Sequence, residues 1–448
     1  MRANILSQRR AGALLHLTCL EGALGREGRR FIDWLAQAGF SVWQFLPPGP
    51  TGADGSPYRV RSDCAGNPAL IDPDERPPLD EAPFQAFRRS AHAWLEDYSC
   101  FEVLSRRHGG EPWWCWPAEH RDRAPRALAE VRRAEAQRIR EIEWEQFAFE
   151  WQWRRLREHA HAHGVLLFGD LPFYAAPDSV ETWAQREQFQ LDAEGRARMV
   201  AGVPPDYFSE LGQLWGNPLY EWEVMRRDGF RFWRERVRRQ LERVDLLRLD
   251  HFRALAAHWA VPGGAEDARA GAWLRTPGWA LLRTLREDLG RMPLVAEDLG
   301  VITPDVEDLR RGFALPGMRV LQFGFDGSRD NPHLPHRHER ETIVYTGTHD
   351  NDTTLGWYRS LDAETARRVD FYLGSGPGEM PDALVGAALA SVGALAVLPV
   401  QDLLALGSEA RFNTPSTVPG NWRWRLPPGS LSADLAGRYR HLNGVYGR

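Results

Sequence analysis

Eight short apolar runs recur along the 448-residue chain, and each one ends in a cluster of polar residues. Stretches with a helical pattern separate the runs, which implies that the strands they predict pair in parallel. Near-continuous hydrophobicity, as in residues 165–168 (VLLF), suits strands that are buried on both faces. The sequence therefore predicts an α/β fold, a (β/α)8 TIM barrel. The runs are residues 13–18, 41–46, 165–170, 245–250, 293–298, 318–323, 342–350 and 394–402.

Two of the spacers are too long for a single crossover helix. Residues 47–164 predict an inserted, mainly helical subdomain after the second strand, and residues 172–228 predict a lid over the barrel mouth after the third strand. Too few residues follow Asp402 for a C-terminal β-sandwich domain. We therefore expect residues 1–448 to form a single catalytic barrel, with helical and loop insertions around its C-terminal mouth.

The composition argues against several classes of protein. A formal net charge of −5 provides no broad positive field, so a nucleic-acid partner is not expected. All 56 basic residues are Arg, because the sequence contains no Lys, and this excludes every mechanism that forms a Schiff base. The longest apolar run, residues 389–400, is too short to span a bilayer. We expect a cytoplasmic protein with no membrane partner.

The sequence predicts no cofactor and no bound metal. The four cysteines are scattered and form no CxxC pair, so neither a zinc ribbon nor a disulfide framework is indicated, and a reducing compartment fits. His333, His336 and His338 lie in a loop rich in Pro and Arg. No carboxylate stands at a matching spacing, and a metalloenzyme is therefore disfavoured.

The polar residues at the ends of the runs are the candidate catalytic groups, because the chemistry of a (β/α)8 barrel lies at the C-terminal ends of its strands. Acidic residues also cap helices, and Asp298 and Asp402 are candidates for that structural role. The strand-end polar residues are His16, Asp170, Arg248, Asp250, His251, Glu297, Asp298, His349, Asp350, Gln401 and Asp402.

Two carboxylates close neighbouring runs, Asp250 the fourth and Glu297 the fifth. Cleavage of a glycosidic bond needs one carboxyl group that protonates the leaving oxygen and a second that handles the cationic anomeric carbon. Adjacent strands lie about 4.7–4.9 Å apart, close to the roughly 5–5.5 Å separation of retaining enzymes. We therefore predict double displacement through a covalent glycosyl-enzyme. Arg248 shares a face with Asp250 and keeps it ionised, or else forms a plain structural ion pair with it.

Six motifs, spread over most of the chain, add a family resemblance. They are residues 248–253 (RLDHFR), 296–300 (AEDLG), 345–354 (YTGTHDNDTT), 200–209 (VAGVPPDYFS), 214–220 (LWGNPLY) and 407–413 (GSEARFN). With these motifs the sequence resembles the 4-α-glucanotransferases called amylomaltases or disproportionating enzymes, glycoside hydrolase family 77. The resemblance implies that Asp250 is the nucleophile, Glu297 the general acid and base, and Asp350 the transition-state stabiliser.

The resemblance also implies a set of substrate-binding residues. Arg248 matches the partner of the nucleophile, while His349 and Asp170 match residues that hydrogen-bond the sugar at the cleavage site. Tyr58 matches an aromatic platform for that sugar, and Trp215 matches an acceptor-side residue. The full set is Arg248, His349, Asp170, Tyr58, Ser56, His251, Tyr207, Phe208, Trp215 and Asn413.

The implied activity is transfer of α-1,4-glucan segments from a donor maltooligosaccharide to the 4-OH of an acceptor glucan or glucose. The nearest alternative is an α-amylase-like retaining hydrolase, which would use the same carboxylates with water as the attacking group. Tyr207 and Phe208 match a loop that closes over the bound chain and would exclude water. A third interpretation, a silent glucan-binding protein, is disfavoured by the complete carboxylate set. The expected partners are α-1,4-glucans and maltooligosaccharides, and the oligomeric state is not predicted.

Overall fold

A nearly closed parallel barrel forms the centre of the molecule. The computed structural model describes residues 5–205, 210–417 and 419–448. The strands within these ranges are β1 (Arg10–Leu14), β2 (Val42–Gln44), β3 (Leu166–Leu171), β4 (Met199–Val203), β5 (Gln213–Pro218), β6 (Leu246–Leu249), β7 (Ala257–Pro262), β8 (Ala272–Arg275), β9 (Leu294–Ala296), β10 (Gly317–Val320), β11 (Thr342–Tyr345) and β12 (Leu395–Pro399). Eight of them pair in the order β10-β11-β12-β1-β2-β3-β6-β9. The backbone N–H of Ala296 donates to the carbonyl of Pro316 at 2.9 Å, which brings β9 to β10. The predicted (β/α)8 barrel is confirmed.

Each of the eight predicted runs overlaps one barrel strand, and the first run shares the fewest residues with its strand. The run predicted at residues 13–18 corresponds to β1, which begins at Arg10 and ends at Leu14. Leu17–Cys19 forms a 3-10 turn instead, and Leu17 is fully buried there. The apolar signal at the end of the run therefore comes from burial of a turn, which periodicity cannot distinguish from a strand.

The barrel interior is filled by side chains from the strands themselves, as expected for this fold. Phe168 of β3, Val295 of β9 and Ile343 of β11 are fully buried in this inner cluster, together with Val397 of β12. A second, larger cluster lies between the barrel and the surrounding helices, with Trp43, Trp233 and other residues at its centre. Burial on both faces explains why the strands read as continuous apolar runs.

Helices surround the barrel and also form most of the segment between β2 and β3. The longest, α6 (Ala136–Ala162), packs against α1 (Arg26–Gln37), α3 (His92–Arg107) and α5 (Pro125–Ala134). Division of the chain into a barrel and two insertions stays a prediction. The helices are α1 (Arg26–Gln37), α2 (Glu81–Ser90), α3 (His92–Arg107), α4 (Ala118–Arg121), α5 (Pro125–Ala134), α6 (Ala136–Ala162), α7 (Val180–Ala184), α8 (Trp222–Arg227), α9 (Arg231–Arg243), α10 (Gly278–Leu289), α11 (Pro304–Gly312), α12 (Thr354–Ser360), α13 (Ala363–Leu373), α14 (Asp382–Ala390), α15 (Val400–Leu403) and α16 (Ala433–Val445).

A second sheet, absent from the sequence-based prediction, contains the remaining four strands. Its antiparallel order is β5-β4-β7-β8. Strands β4 and β5 come from the segment after β3, whereas β7 and β8 come from the segment after β6, so the sheet joins two loops of the barrel. All four residues of β8 are exposed, and this strand has no apolar alternation that a sequence pattern could reveal.

No helix in the described part of the chain is long and apolar enough to cross a membrane. The four cysteines are free thiols. A cytoplasmic location stays a prediction.

Candidate active site

The predicted catalytic carboxylates lie side by side at the C-terminal ends of β6 and β9. Leu249 of β6 is in register with Ala296 of β9, so the residues that follow them, Asp250 and Glu297, are neighbours. Backbone hydrogen bonds hold both positions, since the N–H of Asp250 donates to Leu171 at 3.0 Å and the N–H of Glu297 donates to Leu249 at 3.1 Å. Strand pairing therefore sets the spacing of the two carboxylates.

Arg248 joins Asp250 to the neighbouring strand β3. Its Nη2 lies 2.7 Å from Oδ1 of Asp250, and its Nη1 donates to Oδ2 of Asp170 at 2.6 Å. Arg248 and Asp170 are both buried, and their Cα atoms are partners in the β3–β6 register. Burial opposes the charge of the guanidinium, but the attraction of Asp170 and Asp250 outweighs it, and the pKa of Arg248 lies well above its ordinary value. The arginine therefore stays charged and fixes both carboxylates.

Glu297 has a different environment from Asp250. Burial raises the pKa of Glu297 to about 7, with Arg248 opposing that shift and Asp250 adding to it. Its Oε2 accepts from the backbone N–H of His251 at 2.8 Å, and its Oε1 accepts from that of Leu299 at 2.9 Å. Asp250 pairs with Arg248 at 2.7 Å, whereas Glu297 accepts from two backbone N–H groups, and its raised pKa lets Glu297 exchange a proton near neutral pH.

Tyr58 and His349 form a wall of the site beside Asp170. The hydroxyl of Tyr58 donates to Oδ2 of Asp170 at 2.7 Å and lies 3.0 Å from Nε2 of His349. The rings of Tyr58 and His349 are stacked, with centroids 5.4 Å apart. The ring of Trp422 lies 6.2 Å from both of them. Trp422 was not predicted, because it lies far along the chain in a loop that matches no motif.

Asp350 is positioned by the segment that ends in Asn413. The side-chain amide of Asn413 donates to Oδ1 of Asp350 at 2.6 Å, and Arg411 donates to its backbone carbonyl at 2.7 Å. Nε2 of His349 lies 3.5 Å from Oδ2 of Asp350. The side chain of Asp350 is 46% exposed, so its carboxylate faces the open mouth. Arg411 was missed as a site residue, although it lies inside the motif at residues 407–413.

The remaining predicted residues fall into three groups. His251 packs edge-on against Trp215 with ring centroids 4.7 Å apart, and the unpredicted Tyr174 contacts both rings. Ser56 supports the turn before Tyr58, since its Oγ accepts from the Tyr58 N–H at 3.3 Å. Tyr207 and Phe208 lie outside the described residues.

Two acidic strand-end residues have structural contacts. Asp402 accepts from the N–H and the hydroxyl of Thr354, the first residue of α12, both at 2.7 Å. Asp298 accepts from the N–H of Met318 at 2.6 Å and pairs with Arg310 and Arg319. Asp402 therefore caps a helix, whereas Asp298 ties β9 to β10.

Three residues of the site each have a buried polar atom without a hydrogen-bond partner among the described residues. The atoms are Oδ1 of Asp170, Nε of Arg248 and Nε2 of His251. A buried polar atom that lacks a hydrogen bond costs free energy.

The fold and the site together define a class of protein. A parallel barrel with two carboxylates on neighbouring strand ends at its mouth is the arrangement of (β/α)8-barrel enzymes that act on glycosidic bonds. The sequence profile described as 4-alpha-glucanotransferase matches residues 15–82 and 75–432. The chain belongs to this 4-alpha-glucanotransferase family.

Individual relatives are similar along their whole length. The chain is 45% identical to a 4-alpha-glucanotransferase of Thermus thermophilus, with 96% of this chain and 97% of the relative covered. It is 40% identical to a 4-alpha-glucanotransferase of Synechocystis sp., with 99% of each covered. Among solved structures, the amylomaltase from Streptococcus agalactiae in complex with acarbose has a TM-score of 0.94 at 32% identity, with 98% of this chain and 100% of that chain covered.

Proposed function

We propose that this enzyme cleaves α-1,4-glucan chains and transfers the severed segment to the 4-OH of an acceptor glucan or glucose. The observation that carries the proposal is the bridge from Arg248 to Asp170 and Asp250, with Glu297 on the adjacent strand end. The names of the relatives, 4-alpha-glucanotransferase and amylomaltase, support transfer as the outcome. The substrates are α-1,4-glucans and maltooligosaccharides.

The first step forms a glycosyl-enzyme. Oδ1 or Oδ2 of Asp250 attacks the anomeric carbon, and the bond from that carbon to the glycosidic oxygen breaks. Glu297 gives its proton to the departing oxygen, which leaves as the 4-OH of the released fragment. Burial raises the pKa of Glu297 to about 7, which supports this role, because Glu297 then carries a proton at pH values below about 7.

The second step reverses the first with a new partner. Ionised Glu297 takes the proton of the acceptor 4-OH, the acceptor oxygen attacks the anomeric carbon, and the bond to Asp250 breaks. Two displacements at the same carbon retain its configuration. Glu297 ends protonated and Asp250 ends ionised, as both began.

The other site residues bind the sugar at the cleavage point. Asp350, oriented by Asn413, accepts hydrogen bonds from the hydroxyl groups of the ring that distorts in the transition state. Oδ1 of Asp170 has no protein partner in the described residues and accepts from a neighbouring hydroxyl. The ring of Tyr58 stacks on the apolar face of that sugar.

Incubation with pure maltotriose tests the proposal. A ladder of longer maltooligosaccharides together with glucose is the expected result, whereas maltose and glucose alone would establish the α-amylase-like hydrolase instead. Asp250→Asn should abolish the ladder, and Asp330→Asn, at an 88% exposed side chain, is the matched control that should retain it. An active Asp250→Asn variant would contradict the assignment of the nucleophile.

A further inference from the structure

Three side chains with metal-binding atoms meet on the surface between α1 and α6. Nε2 of His159 lies 2.6 Å from Oδ1 of Asp33, and Nε2 of His163 lies 3.6 Å from the same oxygen. The ligand atoms of all three lie within 4.8 Å of one another. In the part of the chain that the structure describes, no second group of three His, Cys, Asp or Glu side chains comes together in this way.

The hydrogen bonds of His163 define which ring nitrogen is free. Its Nδ1 lies 2.9 Å from the backbone carbonyl oxygen of His159, and a carbonyl oxygen only accepts, so Nδ1 carries the proton. In the neutral ring, Nε2 then has a lone pair that faces the carboxylate of Asp33. The two atoms are 3.6 Å apart, so a metal ion placed beside them could take both as ligands. A second nitrogen held by a backbone carbonyl is also the usual outer contact of a metal-bound histidine.

The helix geometry supports a cation at the same point. His159 in the last turn of α6 and His163 at its C-cap are four residues apart, so their side chains lie on the same side of the helix end. His163 is the C-cap residue directly after α6, and Gly164, with a φ of +72°, follows it and ends the helical path of the chain. The C-terminal end of a helix carries a partial negative charge that stabilises a bound cation.

We propose that Asp33, His159 and His163 bind a divalent first-row transition metal ion, with zinc the best fit. Two imidazole nitrogens and one carboxylate oxygen are a set of three ligands that zinc accepts with water in its fourth position. Side-chain exposures of 41%, 25% and 41%, respectively, leave a path for the ion from solvent.

The position of this cluster indicates a structural role for the ion. His163 precedes β3 and Asp33 lies in the helix that precedes β2, so the cluster is at the N-terminal end of the barrel, opposite the catalytic carboxylates. In such barrels the N-terminal face contributes to stability and the C-terminal face to catalysis. An ion that binds the folded chain and joins α1 to α6 raises the temperature of unfolding.

Titration of the chelator-treated full chain with zinc, followed by calorimetry and by thermal unfolding, tests the proposal. A Cys115→Ser background removes the one exposed thiol among the four cysteines. We expect one zinc per chain with a Kd of about 10 μM or tighter and a rise in Tm of about 2 °C or more at saturation. Cobalt should give the absorption bands of a site with nitrogen and oxygen ligands.

Variants separate the site from adventitious binding. His163→Gln and Asp33→Asn should each weaken zinc binding by at least about 10-fold and remove the rise in Tm, with unchanged circular dichroism. His441→Gln, at an exposed histidine of α16, is the control and should bind zinc as the parent does. A Kd of about 1 mM or weaker, or equal binding by His163→Gln, would overturn the proposal and leave His159 and Asp33 as a simple ion pair.

Discussion

Nη2 of Arg248 lies 2.7 Å from Oδ1 of Asp250, the residue directly after β6, while Nη1 of the same guanidinium reaches Asp170 of β3. One planar group therefore holds two carboxylates of different strands. This dual contact fixes the position of the Asp250 carboxylate at the barrel mouth, and it depends on the fork shape of arginine as well as on its charge.

Arg248→Lys should retain the charge and lose the bridge. An ammonium group cannot reach both carboxylates in the same geometry, so Asp250 should shift within the site. We expect kcat for maltotriose disproportionation to fall by about 100-fold, the size associated with a displacement near 1 Å. Arg359→Lys, at an exposed arginine, is the matched control. Full activity of Arg248→Lys would show that charge alone suffices.

The pH dependence of kcat/KM should report Glu297. Burial raises its pKa to about 7, and the first step needs the protonated acid, so activity should fall as the pH rises through about 7. Burial lowers the pKa of the adjacent His251 to about 4, which places that histidine outside this limb. Glucose release from maltotriose between pH 5 and 9 measures the profile. The fall in activity above about pH 7 should persist in His251→Gln. If it disappears in that variant, the titrating group is His251 and not Glu297.

Asn413→Asp should impair catalysis more than Asn413→Ala. The side-chain amide of Asn413 donates to Asp350 at 2.6 Å, and a carboxylate in its place would repel Asp350. We expect kcat to fall by about 100-fold in the aspartate variant with a much smaller change in KM. Alanine removes the donor without adding charge and should cost less. Initial rates over a range of maltotriose concentrations separate the two constants, and equal losses in the two variants would argue against charge repulsion.

Glu181 should make the protein less stable as the pH rises. Burial, and then the neighbouring Asp63, raise the pKa of Glu181 to about 7 from an ordinary value of 4.5. Between these values the folded state binds more protons than the unfolded state, so the free energy of unfolding falls as the pH rises through the window. Glu181→Gln removes the charge, and its amide oxygen can still accept from the hydroxyl of Ser62 and the N–H of Asp63.

At pH 8 Glu181→Gln should therefore be more stable than the parent, by up to about 3 kcal/mol. Below about pH 4.5 both side chains are neutral and the difference should vanish. Urea unfolding at pH 4.5 and pH 8 measures both values. Glu223→Gln, at a 70% exposed side chain, is the control and should stay within about 0.5 kcal/mol of the parent at each pH. A less stable Glu181→Gln at pH 8 would contradict the burial argument.

The barrel could be predicted from the sequence because a strand that is buried on both faces is a continuous run of apolar residues. Each strand is a short apolar run that ends in polar residues, and that pattern depends on neighbours in the chain. The same logic placed Asp250 and Glu297 on adjacent strand ends, and the register of Leu249 with Ala296 agrees with it. The second sheet has no such pattern, because β8 is exposed along its whole length. Its strands also come from two segments that are distant in sequence.

The sequence by itself determined the fold class and predicted that Asp250 and Glu297 end neighbouring strands, since both follow from local patterns of apolar and acidic residues. Only the tertiary structure decided the environment of each group. The proton affinity of Glu297 depends on burial and on Arg248, and the orientation of Asp350 depends on Asn413, 63 positions along the chain. The meeting of Asp33 with His159 and His163 was likewise decided by the packing of α1 on α6. These contacts join residues that are far apart in the chain, and a local sequence pattern does not show which distant residues meet in the folded protein.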